Sequence, residues 1–100
     1  MRSYHAKDIL GVFKVLEELG DKREAVAARL TRVRTVLELD KKSFAEKAGL
    51  TQQTYGPFEN GTRDLSLEAA KKLRKAYGLT LEFMYFGKTD DLPHRIAAKL

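Results

Sequence analysis

Cysteine is absent from the chain, which excludes disulfides and cysteine-ligated metal centres from the start. Proline is nearly absent, with two residues in one hundred, Pro57 and Pro93. No stretch approaches the roughly 18 apolar residues needed to cross a membrane. The first twenty residues, "MRSYHAKDILGVFKVLEELG", place lysine, aspartate and glutamate among their apolar positions and lack a small-residue cleavage site, so no signal peptide is expected. Sustained period-two alternation between turn signals is missing, which argues against strands. There is no nucleophile–base pair and no phosphate-cradling glycine loop, and His5 and His94 stand isolated near opposite ends. The expectation is therefore a non-enzyme with no catalytic residue, no cofactor and no metal, at home in a reducing cytoplasm.

What the chain does have is charge and helical punctuation. The net charge is +5 and 33% of residues are charged. Between Lys22 and Arg63 nine Lys/Arg face five acids, so +4 of the +5 lies in that segment. A balance of this kind permits a polyanionic partner.

Almost the whole chain reads as helix. Ile9, Leu10, Val12, Phe13, Val15, Leu16 and Leu19 cover a broad helical face between Tyr4 and Gly20. A second helix is expected from Asp21 to about Leu39, capped by Asp21 with Glu24 three residues on, and with Val26, Leu30, Val33 and Leu37 as its apolar stripe. Asp40, Thr51, Ser66 and Thr80 read as further N-caps, and Gly49, Gly78 and Gly87 as stops. After Gly87, "KTDDLPHRIAAKL" reads as a polar turn and a short amphipathic tail, with Pro93 in its first turn.

Residues 41–60 have the makings of two helices meeting at a tight turn. Ala45 is small where a second helix would cross, and Gly49 tolerates the positive φ of the turn. Phe44, Ala48, Leu50, Tyr55 and Phe58 occupy inward positions. With "RLTRVRTVLEL" before and "YGLTLEFMYFG" after, "DKKSFAEKAGLTQQTYGPFENGTR" resembles the Cro/C1-type (Xre-like) helix-turn-helix family of phage repressors and bacterial regulators. The likeness runs over residues 29–87.

That resemblance implies an all-α fold: a five-helix, lambda-repressor-like helix-turn-helix domain over residues 21–88. An extra N-terminal helical arm would occupy residues 1–20 and a short helical tail residues 89–100, each a candidate dimerisation element. It implies a dimeric repressor of prophage or bacterial type that binds an inverted-repeat operator in double-stranded DNA. Neither a small-molecule effector nor a membrane is indicated. The resemblance makes Thr51, Gln52 and Gln53 the base readers, and glutamine can pair with adenine N6 and N7. It makes Lys41, Thr54, Asn60, Thr62 and Arg63 phosphate or backbone contacts. It makes Arg34 and Glu59 a structural salt bridge. Arg29, Arg32, Lys42 and Lys47 are further cations within reach of phosphates, although a solvated face explains most charges of this kind.

Gly56-Pro57 departs from the family pattern, which has a helical, often polar residue at position 57. An interior proline removes the bond to the carbonyl of Gln53, so the helix is expected to kink, or to stop after one turn and restart at Pro57. A different class of function is also compatible with the residues: a protein-interaction module, such as an antitoxin or adaptor, in which this break weakens base reading.

Overall fold

The computed structural model describes residues 22–100. The N-terminal arm expected over residues 1–20, and Asp21, lie outside the described residues. Within them the chain forms six helices and no strand: α1 (Arg23–Val36), α2 (Lys41–Lys47), α3 (Gln52–Asn60), α4 (Leu67–Tyr77), α5 (Leu81–Phe86) and α6 (His94–Ala97). The fold is all-α.

Local chemistry sets most of the boundaries. The side chains of Asp40, Thr51, Ser66 and Thr80 accept from the backbone N–H three residues on, at Ser43, Thr54, Ala69 and Phe83. Each satisfies a donor that the helix itself leaves orphaned, which is worth about 1 kcal/mol. The start of α1 differs from expectation. Its N-cap is Lys22, with no side-chain cap.

The end of α1 also comes early, at Val36 rather than Leu39. Glu38 turns into the left-handed region at φ 58°, and the N–H groups of Glu38 and Leu39 bond back to the carbonyls of Thr35 and Arg34. This is a helix stop normally built with glycine. It frees Leu39 and Asp40 to lead directly into α2.

The core is assembled from one face of every helix. Leu30 and Val33 of α1, Phe44 of α2, Tyr55 of α3, Leu73 of α4, Phe83 and Met84 of α5 and Ile96 of α6 are fully buried. Phe44 lies at its centre, stacked on Tyr77 with centroids 4.4 Å apart and tilted against Tyr55 at 5.3 Å. Such pairs add about 0.5–1.5 kcal/mol to the burial itself. The Tyr77 hydroxyl donates to the Phe44 carbonyl at 2.7 Å and that of Tyr85 to the Leu65 carbonyl at 2.7 Å. These bonds tie α4 to α2, and α5 to the loop before α4.

The tail belongs to the same core. Leu92 and Ile96 are buried, and Arg32 on α1 donates to the Lys99 carbonyl at 3.1 Å. A Cβ at Gly78 would come within 2.8 Å of the Pro93 ring, so the chain after α4 and the chain before α6 pass too closely for any side chain there.

Candidate nucleic-acid interface

The helix pair α2 and α3 is set by the turn between them. Gly49 sits at φ 78°, and the Leu50 N–H returns to the Ala45 carbonyl at 2.9 Å. Phe44, Ala45, Ala48, Leu50, Tyr55 and Phe58 are all buried, which fixes the rotation of α3 about its axis. The same rotation leaves Gln52, Gln53, Thr54 and Asn60 exposed. Thr51 is exposed too, but its hydroxyl is engaged: it accepts the Thr54 N–H at 3.1 Å and donates to the Thr54 hydroxyl at 3.0 Å.

Helix α3 runs unbroken through Pro57. Of the two expected outcomes, a kink or a stop and restart, the second does not occur, because the residues on both sides of the proline are anchored. Tyr55 and Phe58 are buried in the core, and Glu59 is held by the network described below. The ring removes one internal bond, yet the Pro57 carbonyl closes the helix: it accepts the N–H groups of Gly61, Thr62 (3.0 Å) and Arg63 (3.3 Å). That carbonyl gathers the "GTR" loop under the end of α3, where Thr62 and Arg63 are exposed.

Lys41, half-buried at the start of α2, donates to the Asn60 side-chain carbonyl at 3.1 Å. The N-terminus of α2 and the C-terminus of α3 therefore meet. Lys41, Asn60, Thr62 and Arg63 share that end of the pair, while Gln52 and Gln53 stand on the first turn of α3.

Behind the exposed face lies a buried ionic network. Arg34 meets Glu59 side-on, Nε to Oε2 at 2.9 Å and Nη2 to Oε1 at 3.0 Å, and its Nη1 donates to the Leu39 carbonyl at 2.9 Å. Tyr55 donates to the same carboxylate at 2.6 Å and Thr31 at 3.1 Å. Burial by itself would raise the Glu59 carboxyl, but the hydrogen bonds from Arg34, Tyr55 and Thr31 prevail and hold it below its ordinary range. Burial, with the bond to Glu59 behind it, pushes the Tyr55 phenol far up, so it remains a donor. One charged cluster thus joins α1, the turn before α2, and α3. Thr31 and Tyr55 are the members that sequence reading missed. The Tyr55–Glu59 spacing of one helical turn was the available signal.

Of the four additional cations, Arg32, Lys42 and Lys47 are exposed. Arg29 is not. It is completely buried, with Nη1 donating to the Met84 carbonyl at 3.0 Å, so the idea of a phosphate contact there is corrected: this arginine braces α1 against α5. Arg23 pairs with Asp64 at 2.8 Å on the surface and secures the loop after α3. Among the described residues no group of His, Cys, Asp or Glu is arranged to hold a metal ion. No described helix is long and apolar enough to cross a membrane.

A helix-turn-helix family model matches residues 30–84, more than half of the chain, and spans α2, the turn, α3 and the supporting helices. The chain belongs to the Cro/C1-type helix-turn-helix family. No curated protein and no solved structure matches it significantly. As a Cro/C1-type protein it is a DNA-binding regulator of the helix-turn-helix kind, with DNA as its partner. In this Cro/C1-type chain α2 and α3 are the helix-turn-helix pair, and α3 has the place of the recognition helix.

Proposed function

We infer that the protein is a sequence-specific transcriptional repressor that binds double-stranded DNA as a homodimer, at an inverted repeat, with α3 in the major groove. Thr51, Gln52 and Gln53 read base edges, and Thr51 also caps the reading turn. Lys41, Thr54, Asn60, Thr62 and Arg63 hold the sugar-phosphate chain on either side and set the register without selecting sequence.

The observation that carries this reading is the rotation of α3. Its Tyr55, Phe58 and Glu59 side faces the core while the two glutamines of its first turn face solvent. The cations Lys41 and Arg63 lie together at its C-terminal end. A second copy has apolar surface available, since Leu67 and Phe86 are each 52% exposed. Half-sites about one helical turn apart suit two such helices related by a two-fold axis. Access to DNA is required, which agrees with a cytoplasmic, nucleoid-associated location in a bacterial or phage setting.

The test is a selection of randomised DNA duplexes on the purified protein near physiological salt. Enrichment of one inverted repeat is expected. Only sequence-blind, salt-steep binding would overturn base reading, and absence of duplex binding would turn attention to the protein-interaction reading.

A further inference from the structure

Gln52, Gln53, Thr54 and Asn60 of α3 are exposed, and Gly56 and Pro57, about one turn from the glutamines and one turn from Asn60, are half-buried. Polar side chains stand at both ends of this row, and Gly56 and Pro57 contribute none between them. Its chain neighbours and its own helix backbone aside, a Cβ built on Gly56 would meet nothing within 4 Å, so no other element packs against this position. Pro57 is half-buried, and its carbonyl closes the helix, a task any residue's carbonyl performs. Gly56 spares the helix a Cβ against the Pro57 ring, and neither residue carries a side-chain donor or acceptor. With no Cβ at Gly56 and only a ring at Pro57, the row of polar side chains is interrupted by a donor-free, apolar dent between the base-reading turn and the phosphate-holding end. Lys41 and Arg63 both lie toward the latter end.

We propose that this dent receives the C5-methyl group of a thymine, so that Gly56 and Pro57 determine specificity by shape and apolar contact. The proposal rests on the reading of α3 as the DNA-reading helix. The chemistry follows from what the major groove displays. Every base-pair edge there carries donors or acceptors, which a proline ring cannot satisfy, and thymine alone also presents a methyl group. Gly56 allows the methyl to approach the helix backbone, and Pro57 supplies the carbon surface beside it. From Gln53 to Pro57 the helix advances about 6 Å. At about 3.4 Å per base pair, that places the thymine about two steps from the pairs read by the glutamines.

The experiment uses the parent protein and the half-site it selects. Each thymine is replaced in turn by deoxyuridine, which removes the methyl group and nothing else. One position is expected to raise Kd about fourfold, the value of one buried methyl group. In Gly56→Ala/Pro57→Gln, which fills the dent, that same replacement is expected to leave Kd unchanged. Pro57→Ala provides a second variant should the first fail to fold, and it is expected to lose most of the methyl sensitivity. A selected half-site without a methyl-sensitive thymine would overturn the proposal, as would sensitivity that persists undiminished in a folded variant. Failure of the parent to select any site would instead overturn the DNA-reading role itself, so the two failures are distinguishable.

Discussion

Glu38 is the one non-glycine residue with a positive φ among those described, and it holds the position where a helix stop ordinarily has glycine. An L-residue in the left-handed region costs about 1–2 kcal/mol, against which glycine loses about 0.5–1 kcal/mol of unfolded-state freedom. Glu38→Gly is thus expected to stabilise the fold by about 0.5–1 kcal/mol, a rise of several degrees in Tm for a domain of this size. Thermal melting checks it, and an unchanged or lowered Tm would show that Glu38 is held by something besides backbone geometry. Arg34 gives the opposite case. Glu59 has a side chain only 1% exposed, and Arg34 covers it at 19%. Arg34→Met leaves that carboxylate buried beside Tyr55 and Thr31 without its cation, which is expected to cost about 3 kcal/mol. Arg34→Met/Glu59→Met should lose less than the single change, since it removes the uncompensated charge. Denaturant titration of both variants measures the difference. These residues also mark how far sequence reading reaches. Asp40, Thr51, Ser66 and Thr80 were legible as caps because a cap is local chemistry. Arg29 was not, because only the packing of α1 on α5 brings the Met84 carbonyl to its guanidinium.

The helix α3 sets intrinsic propensity against tertiary anchoring, and anchoring prevails. Propensity alone favours a break at Gly56-Pro57, since glycine costs about 1 kcal/mol and proline about 3 kcal/mol in a helix interior. Tyr55 and Phe58, buried on the two sides, and Glu59, bonded to Arg34, hold the segment helical nonetheless. The inward residues of the helix pair were legible from spacing. The continuity of α3 was not, because it depends on Arg34 and Thr31, which lie more than twenty residues away in sequence. The two unfavourable residues should also be coupled. A residue before proline is pushed out of the α region by contact between its own Cβ and the proline Cδ, and Gly56 has no Cβ. Gly56→Ala alone is therefore expected to change stability little, because the helix gain and the new clash oppose each other. In a Pro57→Ala background the same substitution should stabilise by about 1 kcal/mol. A double-mutant cycle isolates the interaction, and strict additivity would show that Gly56 does not relieve the proline.

For the whole molecule, the balance between ionic architecture and ionic recognition appears in how it responds to pH and salt. Glu59 titrates below its ordinary 4.5 in the folded chain, so the unfolded chain takes up its proton first as pH falls. Its contribution is present above pH 4.5 and is lost as pH drops through the depressed folded value, and Glu59→Gln should flatten that part of the acid limb of Tm. Salt acts on the outer face instead. Each phosphate neutralised by a cation makes log Kd steeper in log salt by about 0.9. Removal of one cation per chain lowers that slope by about 0.9 for a monomer on DNA and by about 1.8 for a symmetric dimer. Lys41→Ala and Arg63→Ala are each expected to show the larger change, with affinity falling alike on selected and unrelated duplexes. Lys41→Ala also releases the Asn60 side chain from its bond to Lys41, so its effect should be at least that of Arg63→Ala. Gln52→Ala and Gln53→Ala should leave the slope where it was and weaken the selected duplex alone, because a base contact releases no counterion. A slope change of about 0.9 for both cation variants would mean that one chain engages each site. The inverted-repeat dimer would then have to be abandoned even with sequence preference intact.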